Sequence, residues 1–322
     1  MNARYVVRRL ITSLVMLWLT SLVIFVVLRI LPGDPVTTML GDVHGVDAQV
    51  LQQTRHSFGL DRPLLAQYGS WLSGLFTGNF GRSYFSQEPV QTLLVPRIWP
   101  TVELTIAALV LALAFAVPAA IQAAVRPRGV IDRVVTTIAS LGMSVPAFLT
   151  AIALIVVFSV KLKLLPSSGY VSLLRDPGRN LQLIAMPAAT LAFSISAPIL
   201  RFMRASLAEA TASPYIRTAE GKGLRWSRVV RRHATPNALI PTLTVVGLTV
   251  GQLLGGVVII EYIFSWPGIG TLIIDSVSKR DYAVLQVAIL VAAVAFIVTT
   301  LVVDFLYGIL DPRLKARTGA TA

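Results

Sequence analysis

Cysteine is missing from all 322 residues, so the chain can build neither a disulfide framework nor a thiolate metal site. Charge is scarce too. Asp, Glu, Lys and Arg together make up 13%, while 55% is hydrophobic and the mean hydropathy is +0.74. Soluble domains carry about 25% charged residues, so this balance is that of a membrane protein. Acids are the scarcer sign, 15 against 28 Lys and Arg, which leaves a formal net charge of +13. In a membrane protein that excess first marks cytoplasmic loops, and no nucleic-acid partner is expected from it. His44, His56 and His233 are scattered too widely for a zinc site. A phosphate cradle is lacking as well: the nearest fragment, Gly221-Lys222-Gly223, is followed by Leu224 and has Ile216 where a Walker motif needs glycine. With no nucleophile and base at a workable spacing, the chain is expected not to be an enzyme and to hold no cofactor.

What the sequence has in quantity is long apolar runs. A hydrocarbon core of about 30 Å takes about 20 helical residues. Six stretches qualify: Leu10 to Leu28, Val102 to Val125, Val134 to Val160, Leu183 to Leu200, Ala238 to Ile260 and Ala283 to Leu310. The expected fold class is therefore an all-α membrane protein of six transmembrane helices. Arg4, Arg8 and Arg9 precede the first run, as in a signal peptide, but the run is longer than a secretory core of about 7 to 15 residues and is read as a retained anchor. Lys and Arg gather on alternate sides: Arg4, Arg8 and Arg9, then Arg126, Arg128 and Arg133, then the segment from Arg201 to Arg232, then Arg313, Lys315 and Arg317. Both termini are accordingly expected in the cytoplasm, although Lys161, Lys163, Arg175 and Arg179 fall on the other side. The resulting division is an N-terminal helix over 1–31, an outer loop region over 32–98, a core over 99–312 and a cytoplasmic tail over 313–322. Within the outer loop, Leu64, Leu65, Tyr68, Trp71, Leu72, Leu75 and Phe76 form a helix-period stripe after Asp61 and Pro63. That stripe suits a membrane surface, the protein's own outer mouth, or simple packing under the loop.

Within the spans, Gly247, Gly251 and Gly255 lie at spacing four on one helical face, either as an interface at a pore or subunit contact or as tight packing within the monomer. Pro118, Pro146, Pro187, Pro198 and Pro241 each remove a helical hydrogen bond and favour a kink. Arg29, Glu103, Arg201, Glu261 and Asp304 stand toward span ends, so no ion-coupling group sits at mid-depth. Ser140, Ser144, Ser194 and Ser196 either line a path or bond their own backbone.

The basic stretch Tyr215 to Asn237, YIRTAEGKGLRWSRVVRRHATPN, stands between the fourth and fifth spans. Ser213-Pro214 has the chemistry of a helix start and Gly223 that of a stop, bounding a helix of about nine residues that is too short to be stable alone. A second helix is expected from Arg225, with Trp226, Val229 and Val230 on one face and Arg225, Arg228, Arg231 and Arg232 largely on the other. Thr235-Pro236 repeats the start signal and launches the fifth span. Three readings fit: a docking element for a partner, a loop touching anionic lipid, or a helix-turn-helix, the last disfavoured by its short tethers.

Tyr215-Ile-Arg-Thr-Ala219, Lys222-Gly-Leu224, Arg232-His-Ala234, Asn237-Ala-Leu239 and Pro241 resemble the cytoplasmic coupling motif of bacterial ABC importer permeases, in the oligopeptide and dipeptide branch. Leu31-Pro-Gly-Asp-Pro35, Phe58 to Pro63, Gly78 to Ser83, Phe264 to Gly270 and Asp311-Pro-Arg313 add to the resemblance. Glu220-Gly221 departs from it, standing where relatives tend to have a basic residue and alanine. The resemblance implies a type I permease fold and a coupling loop over about 204–237, with Tyr215, Arg217, Thr218, Ala219, Glu220, Lys222, Gly223, Leu224 and His233 as its functional residues. It implies a second homologous permease, two cytoplasmic ATPase subunits that hold the ATP and magnesium, an extracytoplasmic binding protein and a bacterial inner membrane. Peptides are the expected cargo, with nickel chelates, glutathione and other solutes as alternatives. A self-sufficient channel or secondary carrier is the reading from another class.

Overall fold

The computed structural model describes residues 3–30, 48–57 and 59–310. The expectations placed on Leu31 to Pro35, His44, Phe58, Asp311 to Arg313 and the tail over 313–322 lie outside those residues. The elements are α1 (Ala3–Ile30), α2 (Ala48–Ser57), α3 (Leu64–Phe76), α4 (Val90–Val125), α5 (Val130–Ser144), α6 (Ala147–Leu154, continued by a π-helical segment Ile155–Lys161), α7 (Pro177–Thr211), α8 (Pro214–Gly221), α9 (Trp226–Val229), a π-helical turn Val230–Ala234, α10 (Thr235–Ile263), α11 (Ile269–Ser278) and α12 (Tyr282–Leu310). Five continuous helical stretches, among them α9 running into α10, are long and apolar enough to cross a membrane.

The remaining span departs from expectation. The run from Val134 to Val160 is not one rod: α5 and α6 meet at a 107° bend. Pro146 is the cause, because its ring disfavours the helical region for the residue before it, and Val145 takes φ −89°, ψ 120°. Pro118, Pro187, Pro198 and Pro241, in contrast, lie inside unbroken helices. Burial of the proline does not separate the two outcomes, since Pro187 is buried but Pro118 and Pro241 are exposed within their unbroken helices. The second span also begins earlier than expected. α4 runs through Pro96 and Pro100 from Val90, held there by Val90 and Leu94 packing on Ile269, Leu272, Val284 and Val287. The 98–99 junction thus falls inside a helix.

α7 is the central helix, and α4 lies along it through a column of small residues. Ala108, Ala112, Ala116 and Ala120, at spacing four, are all fully buried. The first two join Leu191 and Ile195, the third joins Ile199 and Leu200, and the fourth joins Met203 and Leu207, a parallel register at close backbone approach. α10 covers another side of α7 and packs on α12 through glycines. A Cβ on Gly247 would stand 2.1 Å from Val303 Cγ1, and one on Gly251 2.5 Å from Phe296 Cε2. Gly247 and Gly251 therefore serve packing within the chain, while Gly255 is exposed with nothing within 4 Å of a Cβ built on it. Part of the α3 stripe packs on its own chain: Phe25 of α1 meets Tyr68 at 5.3 Å and Trp71 at 6.2 Å between ring centroids, and Ser21 Oγ shares a 2.8 Å hydrogen bond with the Tyr68 hydroxyl, while Leu64, Leu65 and Phe76 stay exposed.

Candidate functional site

The stretch from Ser213 to Asn237 folds as one short helix followed by a long one. Ser213 takes the N-cap position of α8 with extended backbone, φ −74°, ψ 149°, and Pro214 opens the first turn. Its hydroxyl does not cap, however; it donates to the Glu209 carbonyl of the preceding helix at 3.4 Å. The far end closes as glycine chemistry requires. Gly223 has φ +76°, its amide donates to Glu220 O at 2.8 Å, and the Leu224 amide donates to Ala219 O at 3.4 Å. That pair of bonds is a Schellman closure, and the half-buried Leu224 joins the same apolar cluster as Ala219. Only Ile216 and Ala219 of α8 are buried, one helical turn apart, against Met203, Leu207, Ala210, Val229, Val230 and Ala234. Burial within the chain thus supplies what an eight-residue helix lacks alone.

Tyr215, Arg217, Thr218, Glu220, Lys222 and Gly223 are exposed on the outer face of this element, so the predicted docking residues share a surface except for buried Ala219 and half-buried Leu224 and His233. Asn237 Nδ2 joins both ends by donating to the Tyr215 hydroxyl at 3.2 Å and to the His233 carbonyl at 2.9 Å. The second expected helix is corrected by the structure. From Trp226 the chain runs through the π-helical turn Val230–Ala234 directly into α10, so Thr235-Pro236 launches nothing. Pro236 has no amide to donate, and the Thr235 hydroxyl bonds back to Val230 O at 2.9 Å; the wider turn accommodates both. The arginine face survives: Arg225, Arg228, Arg231 and Arg232 are exposed while Val229 and Val230 are fully buried.

Sequence reading missed the polar ties that hold the helix ends. At the end of the bundle nearest α8, Arg204 of α7 grips Asp132 of α5, and the Arg128 amide adds a bond to Asp132 Oδ2 at 2.9 Å. On the other side, Glu261 is fully buried. It accepts from Thr101 Oγ1 at 2.6 Å and from the Gly270 amide at 2.7 Å, while the Ile269 amide donates to the same Thr101 oxygen at 2.8 Å. Trp266 Nε1 donates to Pro100 O at 2.8 Å. A Cβ on Gly268 would lie 2.0 Å from Glu261 Oε1 and one on Gly270 2.4 Å from Val258 Cα, which explains the glycines of the Phe264 to Gly270 motif. Glu103 accepts from Asn180 Nδ2 at 2.6 Å and from the Tyr170 hydroxyl at 3.1 Å, joining α4 to α7. Asp281, ahead of α12, accepts from the Ser83 hydroxyl and from the Tyr84 amide at 3.0 Å, which gives the Gly78 to Ser83 motif its anchor. A lone acid among basic or apolar neighbours was the available signal. The partners, most of them between 67 and 198 positions away in sequence, left none.

The serines singled out in the spans bond mainly to backbone: Ser140 to Thr136 O at 3.0 Å, Ser144 to Ser140 O at 2.9 Å and Ser196 to Phe193 O at 3.0 Å. The Ser194 hydroxyl is buried and has no protein partner.

Comparison with known proteins agrees with this arrangement. Residues 116–316 match the family described as binding-protein-dependent transport system inner membrane component, and residues 2–105 match the N-terminal family of the same system. The chain is 40% identical over 311 residues to the glutathione transport system permease protein GsiC of Escherichia coli (strain K12), covering 97% of this chain and 98% of the relative. It is 39% identical over 315 residues to a predicted peptide permease protein of Brucella suis biovar 1, covering 97% and 99%. Among solved structures, an inward-facing form of the MetNI methionine ABC transporter aligns with TM-score 0.58 at 17% identity, covering 70% of this chain and 99% of that one, a likeness of fold.

Proposed function

Because the chain belongs to the family of binding-protein-dependent transport system inner membrane components and is the permease subunit of an ABC importer, we propose that it forms half of a translocation path for peptides and is driven through α8. The carrying observation is the two-faced construction of α8. Its inner face is locked to the ends of α7 and α10, while its outer face presents Tyr215, Arg217, Thr218, Glu220 and Lys222 to a partner. A push on that face moves the spans behind it, because packed interiors transmit displacement. The partner is a cytoplasmic ATPase subunit, two of which serve a pair of homologous permeases; they hold the ATP and magnesium, and a binding protein delivers cargo from outside. Both termini lie in the cytoplasm in this reading, in keeping with the basic residues clustered around α8 and α9. Similarity to a glutathione permease keeps that tripeptide within the proposed class of cargo.

The absence of native cysteine makes the test direct. In the assembled complex, a cysteine at Arg217 is expected to cross-link to an ATPase subunit through a short bifunctional maleimide, whereas one at buried Ile216 is not. Cross-linking from Ile216 alone, or from neither site while uptake remains ATP-driven, would remove α8 from the coupling role.

A further inference from the structure

Arg201 of α7 is an exposed cation on a helix that crosses the membrane, and it meets no carboxylate among the described residues. Its one side-chain bond there is to the Met143 thioether, Nη1 to Sδ at 3.9 Å. Arg204, a single turn further toward the cytoplasm, is by contrast held by Asp132 through two bonds of 2.6 and 3.0 Å. The guanidinium of Arg201 reaches deeper than that ion pair: from Asp132 to Met143 is about 16 Å of helix at 1.5 Å per residue. A cation left without an acid at such depth is costly unless it serves a path or a ligand.

Beside it runs a column of hydroxyls. Thr136, Ser140 and Ser144 of α5 stand at spacing four, all exposed, each donating its proton to the carbonyl four residues back at 2.7, 3.0 and 2.9 Å. Their oxygens keep lone pairs to offer outward. Gly142, on another side of α5 from the hydroxyls, seats that helix closely against α7, since a Cβ there would stand 3.0 Å from Ala197 Cβ and 3.1 Å from Phe193 O. Met143, which touches Arg201, lies between Ser140 and Ser144 on the helical turn, and the bend at Pro146 ends the column. A fork of donors and a ladder of acceptors therefore share one wall.

We propose that Arg201, with Thr136, Ser140 and Ser144, forms a station on the translocation path for a carboxylate-bearing solute with amide or ammonium N–H groups, such as the free C-terminal end of a peptide. Arg201 takes the carboxylate in a bidentate grip, and the hydroxyl oxygens accept the N–H groups beside it. The station rests on the permease reading above and adds to it a residue that discriminates by charge.

The test uses the whole complex, with its ATPases and binding protein, in vesicles of phosphatidylcholine with and without phosphatidylglycerol. ATP-driven uptake is compared for a peptide and its C-terminal amide, chosen to bind the isolated binding protein equally. The free acid is expected to enter about tenfold faster in the wild type, and Arg201→Gln to erase that preference by slowing the acid, with Arg201→Lys restoring part of it. If Arg201→Gln does not assemble, Arg201→Met makes the same comparison with an apolar side chain of similar length. An unchanged acid-to-amide ratio in the neutral variant overturns the proposal. So does an effect confined to vesicles containing phosphatidylglycerol, which would make Arg201 an anchor for lipid headgroups. Failure of the wild type to take up either peptide while hydrolysing ATP would instead sink the peptide reading itself, and the station with it.

Discussion

Arg204 holds Asp132 through Nε at 2.6 Å and Nη2 at 3.0 Å, bonding the first turn of α5 to the end of α7 that leads into α8. The Asp132 side chain is 6% exposed and that of Arg204 43%, so one partner is sealed and the other half wet. Removing the acid strands the arginine.

Asp132→Asn is therefore expected to destabilise the folded permease by about 2 kcal/mol, below the value for a fully buried pair because water reaches Arg204. The midpoint of thermal unfolding of the purified complex checks this. The double change Asp132→Asn with Arg204→Gln is expected to recover part of the loss, since no lone charge remains.

Gly223 closes α8 with φ +76°, and its open surroundings leave backbone strain as the whole cost of a side chain. Gly223→Ala is expected to cost about 1 kcal/mol at that helix end, and Gly223→Asn less, because asparagine tolerates the left-handed region. In uptake assays with ATPase turnover measured in parallel, both variants should insert normally. The ratio of solute carried to ATP hydrolysed should fall further for Ala or Val than for Asn. Equal coupling in all three would separate Gly223 from energy transfer.

Gly270 and Gly255 should behave oppositely although both are glycines beside or within α10. A Cβ at Gly270 meets Val258 Cα at 2.4 Å and Glu261 Oε2 at 2.8 Å, and backbone cannot swing aside. Gly270→Ala is expected to cost about 3 kcal/mol or more through overpacking, visible as low abundance in the membrane. Gly255→Ala meets nothing within 4 Å in the chain itself. Full stability with impaired assembly or uptake in Gly255→Ala would mark the exposed glycine as a contact with the second permease.

Trp266 tests the outer joint separately. Its indole donates to Pro100 O at 2.8 Å and packs edge-on against Tyr170 at 4.7 Å, and the side chain is fully buried. Trp266→Phe is expected to cost about 1 kcal/mol, because the Pro100 carbonyl loses the indole but keeps its place in the α4 ladder, and Trp266→Ala to cost about 3 to 5 kcal/mol. Denaturant unfolding in detergent, followed through the remaining tryptophans, ranks the two.

Much of this architecture was legible because its chemistry is local. Apolar run length marks a span whatever its neighbours are, and the Gly223 stop depends on a backbone angle that only its own residue decides. Proline was only half legible. Pro146 breaks a helix while Pro187, and even the exposed Pro118 and Pro241, do not, so the residue type alone does not tell a bend from a continuous span. The same limit hid the continuity of α9 with α10, since Thr235-Pro236 carries a start signal that a π-helical turn absorbs. Least legible were the carboxylates. Glu261 reads as an acid near a span end until Thr101 and the amides of Gly270 and Ile269 converge around it, and that convergence belongs to the fold.

Three buried acids, Glu103, Glu261 and Asp281, tie down the end of the bundle opposite α8, linking α4 to α7, α10 to α4, and the start of α12 to the segment at Ser83 and Tyr84. Near α8, the polar tie between α5 and α7 is the half-wet Arg204–Asp132 pair, and an apolar cluster of Met203, Leu207, Ile216 and Val229 closes the rest. One end is thus fastened by directional bonds that tolerate little sliding, the other chiefly by apolar contact, which has no preferred direction. If α8 takes the stroke as we propose, movement should come most easily at its own end of the bundle.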